Sequence, residues 1–205
     1  MEKVMFEIYQ HFDDQGLIDV TFKLSNPTAL ITAHRLILSA TSPYFKQLFK
    51  SEKGICPLIE IRDIDSETFE RLIMFCYTGK TLVTVENVDR MLKPALVLQV
   101  DDVLAQCVDF LFEHMNDYTL KRAYTLEREA QCALLSEKML EYEIKNFTSV
   151  TESAEFLNFE TAKLQTILES DDLNVTTEKC AFAAVQGWYE HGATVRKQAL
   201  FRECM

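Results

Sequence analysis

No run of apolar residues in this sequence reaches the roughly 18 that a membrane-spanning helix needs. The opening MEKVMFEIYQHFDD carries charge every few residues, unlike a signal peptide. The expected setting is therefore cytoplasmic or nuclear, with no membrane partner. Cys-x-x-Cys pairs and zinc-type Cys/His spacings are missing too. The six cysteines (56, 76, 107, 132, 180 and 204) lie far apart, which predicts reduced thiols, several buried as small hydrophobes, and no metal or other cofactor. Basic clusters are confined to Lys121-Arg122 and Arg196-Lys197 in a chain of net charge −11. Nucleic-acid binding rests on neutralising phosphates, so direct contact with DNA or RNA is not expected. A P-loop, a G-x-S-x-G elbow and an H-E-x-x-H helix are all lacking, and the acidic doublets Asp101-Asp102 and Asp171-Asp172 fall where helix caps are wanted, so no catalytic residues are assigned. His34, without a second or third ligand beside it, is read as a hydrogen-bonded structural histidine.

What is present is apolar pattern. With 205 residues, 48% of them hydrophobic, the chain can bury about two thirds of its unfolded surface without a staple. Val4, Ile8 and Phe12 recur at helical spacing before Gly16. The period then drops to two: Val20, Phe22 and Leu24 alternate with Thr21 and Lys23, Asn26-Pro27 turns, and Ala29 to Ala33 returns, which predicts a hairpin with one buried face. Leu36, Ile37 and Leu38 predict a short helix that is apolar all round and buried on every side. Ser42-Pro43 supplies an N-cap and a proline at the first helical position. Leu58-Ile59-Glu60-Ile61, after the Cys56-Pro57 break, reads as a third strand. Beyond it the pattern is helical: Phe69, Leu72, Ile73 and Cys76 before Gly79; Val103, Cys107, Phe110 and Leu111; Ala133, Leu140, Ile144 and Phe147; Ala181, Ala184, Val185 and Trp188. Pro94 is expected to split or kink the 86–100 helix at Lys93. The change from mixed strand and helix to helix alone falls near Asn116-Asp117-Tyr118-Thr119, with no Pro/Gly/Ser linker, so two stiffly docked parts are expected.

Four segments, "DVTF", "AHRLILSATSPYFKQLF", "IEIRDIDSETFERLIMFCYTG" and "ENVDRMLKPALVLQVDDVLAQCVDFL", resemble in order and spacing the successive signatures of a BTB/POZ domain. "IKNFTSVTESAEFLNFETAKLQTILESDDLNVTTEKCAFAAVQGWYEHGATVR" is similar to the BACK region that follows BTB in Kelch-like proteins. The resemblance implies an α+β fold: a BTB/POZ domain over 1–116, a small mixed sheet flanked by helices, then an all-α BACK domain over 117–205 with its helical array cut short at the C-terminus. It also implies a homodimer, or pairing with another BTB protein, through the first helix. Val4, Met5, Ile8, Phe12 and Leu17 would line that dimer interface, since so apolar a stripe is better covered than free. Asp19 and Arg35 match the family's charged pair near the dimer groove. If fully buried, loss of one partner would cost roughly 3–5 kcal/mol.

The resemblance further implies a substrate-recruiting adaptor of a Cullin-3 ubiquitin ligase, itself without catalysis, acting on an unknown substrate protein. Tyr44, Phe45, Leu48, Phe49, Lys50, Glu52 and Tyr118 are the cullin-facing candidates, with some of the aromatics expected in the core. Cullin-binding members carry an apolar-x-Glu just past this helix, whereas here Phe49-Lys50-Ser51-Glu52 places lysine at the apolar position. The alternative is a BTB dimerisation scaffold for transcriptional or cytoskeletal regulators that binds no cullin. Neither Kelch repeats nor zinc fingers follow.

Overall fold

The computed structural model describes residues 18–25, 27–175 and 177–203; the side chains of Lys53 and of 193–203 lie outside that description. The expected dimer stripe Val4, Met5, Ile8, Phe12 and Leu17 falls outside the described residues, as does Cys204. The chain divides into two compact units, 1–114 and 115–205.

In the first unit, β1 (Val20–Ser25) is the central strand of a three-stranded sheet of order β2-β1-β3. It pairs antiparallel with β2 (Thr28–Ala33), Phe22 facing Ile31, and parallel with β3 (Leu58–Ile61), Phe22 facing Ile59. The expected hairpin and third strand are both there. Val20, Phe22 and Leu24 are buried while Lys23 and Ser25 are exposed, as period-two alternation requires of a sheet with one covered face.

Between β2 and β3 run α1 (Arg35–Thr41), α2 (Pro43–Leu48) and the single turn α3 (Glu52–Ile55). Ser42 caps α2: its Oγ accepts from Phe45 N–H at 3.1 Å and donates to Leu98 O at 2.6 Å. α1 is not buried on every side as its composition predicts. Leu38 is fully buried but Leu36 is 78% exposed, because residues two apart sit about 200° apart around a helix and, among the described residues, the helices packed on α1 lie on the Leu38 side.

α4 (Ser66–Thr78), α5 (Val88–Val97) and α6 (Asp101–Glu113) complete the unit. Phe69, Leu72, Ile73 and Cys76 are buried, and α4 ends on Gly79 at φ 64°, the left-handed conformation that glycine adopts without a Cβ penalty. Of the expected split or kink at Lys93, the split does not occur: α5 runs as one helix through Pro94. The proline removes one intrahelical donor, the one that would serve the Arg90 carbonyl, and the rest of the helix stays bonded. The chain turns later, at Gln99 (φ 51°), where Val100 N–H reaches Ala95 O at 2.9 Å. Asp101 and Asp102 occupy the first turn of α6 rather than its cap, which is Val100, and so act on the helix dipole. Asp171-Asp172 lie in a turn, not at a helix start. The aromatic centre of this unit is Phe22, 5.6 Å from Phe45 and 5.1 Å from Phe69 between ring centroids.

The second unit is helical: α7 (Asp117–Ala130), α8 (Ala133–Lys145), α9 (Phe147–Thr151), a 3-10 turn at Phe156–Asn158, α10 (Thr161–Leu168) and α11 (Glu178–Glu203). Asn116 opens α7 with a capping box: its Oδ1 accepts from Tyr118 and Thr119 N–H, and Thr119 Oγ1 accepts from Asn116 N–H at 2.7 Å. The stripe read as Ala133 to Phe147 is divided at Asn146, so that Ala133 is exposed and Phe147 belongs to α9. Phe147, Val150, Phe156, Phe159, Leu164 and Ile167 form the core, and Ala181, Ala184, Val185 and Trp188 of α11 pack against it. Trp188 Nε1–H donates to Phe159 O at 2.9 Å.

Candidate protein-interaction groove

Two arrangements in the first unit bear on function, and Arg35 builds one of them. As the first residue of α1, its N–H is free of helix bonding, and Asp19 Oδ1 accepts it at 2.7 Å. Its guanidinium turns the other way and donates to three main-chain carbonyls, Asp19 O at 3.0 Å, Cys56 O at 2.9 Å and Gly54 O. It also lies 5.0 Å over the Phe49 ring. The expected carboxylate–guanidinium pair is therefore corrected: the link runs through the main chain, because Asp19 serves as the cap that α1 otherwise lacks. Asp19 is exposed, so the penalty for a stranded buried charge does not apply. One arginine ties the start of β1, α3 and the entry to β3 together, which fixes the loop bordering the groove. Beside it, His34 Nδ1 lies 2.8 Å from the Tyr77 hydroxyl, which also accepts from His34 N–H. Burial pushes that phenol above its ordinary range. His34 is thus held within the fold by Tyr77.

The groove is an open cleft of about 690 Å³ between α2, β3 and the end of α5, lined by Tyr44, Leu48, Cys56, Leu58, Ile64 and Val97 among others. Its floor and rim follow from strand alternation. Ile59 and Ile61 point into the core, which turns Leu58 and Glu60 outward. Leu58 is 52% and Val97 59% exposed, as large apolar side chains on a surface otherwise rich in charge. At the polar rim Arg62 donates to Glu60 at 2.8 Å, and this bond, with the arginine's charge, holds the Glu60 carboxyl below its ordinary range.

The cullin-facing candidates separate. Tyr44 and Leu48, half-buried, line the groove. Phe45 is 1% exposed and packs on Phe22 and Phe69, so it is core and not a contact. Phe49 is half-buried beneath Arg35 and stacks on Phe45 at 5.9 Å. Lys50 and Glu52 are exposed just past α2. Tyr118, in the second unit, is exposed, with Arg122 5.3 Å over its ring. Leu58, Val97 and Cys56 were not singled out from the sequence. The alternation of Leu58-Ile59-Glu60-Ile61 carried the signal for Leu58; nothing local carried it for Val97.

Among the described residues no group of His, Cys, Asp or Glu side chains is arranged to hold a metal ion, and no helix is long and apolar enough to cross a membrane. Cys76, Cys107 and Cys132 are buried, Cys56 and Cys180 exposed. Burial pushes the Cys107 thiol up to about 12, where it is inert as a nucleophile.

The described residues thus form a small mixed sheet capped by helices, followed by a helical unit. The chain belongs to the BTB/POZ domain family, whose model it matches over residues 8–115, and it matches the model of the BTB And C-terminal Kelch (BACK) region over 120–202. It is 31% identical over 179 residues to Kelch-like protein 8 of Mus musculus, 86% of this chain and 28% of that protein. With Kelch-like protein 2 of Homo sapiens it shares 31% over 203 residues, 98% of this chain and 34% of that protein. The chain thus spans about a third of the length of the curated relatives it matches. Among solved structures it is similar to the BTB domain of zebrafish PATZ1, 22% identical with a TM-score of 0.48, covering 55% of this chain and 91% of that one.

Proposed function

We propose that this BTB-BACK chain is a non-catalytic adaptor that pairs with itself or another BTB protein, docks a Cullin-3 scaffold in the groove between α2 and β3, and presents a substrate protein to the ligase. The observation that carries this reading is the groove: a cleft of about 690 Å³ edged by Leu58 and Val97, two large apolar side chains left in water. Covering each would contribute about 1.5–3 kcal/mol, enough for the two to anchor a partner helix or loop. The test is calorimetric titration of the chain with the N-terminal domain of Cullin-3, with Leu58→Asp as the surface variant and light scattering to weigh the oligomer.

A second reading, a dimerising scaffold without cullin, is supported by Lys50. It is exposed where cullin-binding members carry an apolar residue, and a lysine there withholds apolar contact and must be desolvated. The same titration separates the two readings: a well-folded dimer that gives no heat is the scaffold.

A further inference from the structure

The second unit holds a buried charge cluster that adaptor function does not use. Glu143 of α8 is fully buried. Lys163 of α10 reaches it at 2.9 Å, as an ion pair rather than an aligned hydrogen bond, and reaches Glu127 of α7 at 3.2 Å. The same ammonium lies 5.0 Å over Phe159 and 5.4 Å over Tyr124 of α7. The Tyr124 hydroxyl, which faces the Glu143 carboxyl without an aligned hydrogen bond, and Glu155 Oε2, just before the 3-10 turn, are also buried. Three carboxylates, one phenol and one ammonium thus meet where α7, α8, the 3-10 segment and α10 converge.

The donors are too few. Lys163 divides its protons between two glutamates, and Tyr124 has one to give, so at least one buried carboxylate oxygen has no donor; an unmade bond of this kind is costly in a dry site. A proton from water, converting one carboxylate to a carboxylic acid, supplies the missing donor and removes one unit of negative charge. We propose that the cluster is a proton-responsive latch: mild acid places one proton on it, seated on Glu143, and tightens the packing of α7, α8 and α10. Burial pushes the Glu143 carboxyl above its ordinary range, and this outweighs the opposing charge of Lys163. Burial, with the charge of Glu143 next, raises Tyr124 and keeps it a phenol. Because the folded value of Glu143 lies above the unfolded one, the proton's contribution to stability is fully present below the ordinary value of 4.5 and is lost as pH rises through the folded value.

The chain's single tryptophan, Trp188, reports this unit alone, through its bond to Phe159 O. Thermal unfolding of the full chain followed by Trp188 fluorescence between about pH 4 and pH 8, a window that spans the ordinary value of 4.5 and the raised folded one, against Glu143→Gln, isolates the effect, since relief of net negative charge acts on both proteins alike. The wild-type midpoint is expected to gain about 3 °C or more on acidification relative to the variant, and Glu143→Gln to match or exceed wild type at the higher pH. Parallel curves would overturn the proposal. Should Glu143→Gln fail to fold, carboxyl-carbon NMR of the wild-type chain decides: Glu143 titrating above 4.5 is the expected result, and titration at or below that value overturns the latch.

Discussion

Replacing Arg35 by methionine keeps the aliphatic stem and removes the guanidinium, and with it hydrogen bonds to Asp19 O, Gly54 O and Cys56 O and the stack on Phe49. Charged hydrogen bonds are worth about 1.5–3 kcal/mol when buried. The contacts to Asp19 and Cys56 are exposed, so water recovers most of their worth and about 0.5–1 kcal/mol is lost at each. The half-buried Gly54 contact adds about 1.5 kcal/mol, and the ring contact about 0.5 kcal/mol. The sum, about 3–4 kcal/mol, corresponds to a fall of roughly 6–16 °C in Tm for a chain of this size. Scanning calorimetry reads the total. Amide exchange at Gly54, whose N–H bonds Ser51 O at 3.0 Å, reads the local consequence, since α3 loses its tether. Arg35→Lys should recover only part of the loss, because an ammonium cannot span three carbonyls that a planar fork meets at once. A Tm for Arg35→Met within about 1 °C of wild type would refute the reasoning, reducing the three bonds to ordinary surface contacts.

Phe22→Ala, which empties a fully buried site among Phe45, Phe49 and Phe69, should cost about 3–5 kcal/mol in urea unfolding. Asp65→Ala removes the α4 cap, in which Asp65 Oδ1 accepts from Thr68 N–H at 2.9 Å, and should cost about 1 kcal/mol at neutral pH. Burial alone would raise the Asp65 carboxyl, but the Thr68 bonds and the Arg90 charge together hold it below its ordinary 3.8. The stabilisation is therefore present above that value and fades as pH falls through the lower folded one, so the wild-type and Asp65→Ala unfolding curves should converge in acid. Gly79→Ala meets no atom within 4 Å, so its cost is backbone strain alone, about 1 kcal/mol, to be read as a fall in Tm of about 2–4 °C.

Local rules made much of the fold readable. Alternation in Val20-Phe22-Leu24 and Ile59-Ile61, the Ser42-Pro43 start and the Gly79 stop each depend on a few neighbouring residues and on geometry that recurs everywhere. The misreadings came where a distant neighbour decides. Leu36 is exposed because, among the described residues, the helices packed on α1 lie on the Leu38 side, and Pro94 stays inside α5, where it removes a single main-chain donor. Asp19 and Arg35 were legible as partners, yet not the way they meet, since the guanidinium's acceptors lie on backbone some twenty residues away that carries no side-chain signature. Phe45 and Tyr44 look alike in sequence, and the step of about 100° between successive helical residues sends the first into the core and the second to the groove. The Glu143–Lys163 cluster escaped notice because α7, α8 and α10 each contribute one or two ordinary surface residue types, and only packing makes them rare.

The groove is the central claim, and Leu58→Asp tests it most directly, because Leu58 is half exposed on an edge strand and its loss leaves the core intact. Calorimetry with the N-terminal domain of Cullin-3 should give saturable binding to the wild-type chain. The same titration of Leu58→Asp, with its Tm unchanged, should show affinity weakened about 30-fold or more, the loss of about 2 kcal/mol of apolar burial. Equal affinity for wild type and Leu58→Asp would contradict the groove as the docking surface, and no heat from a folded wild-type dimer would contradict the adaptor reading itself.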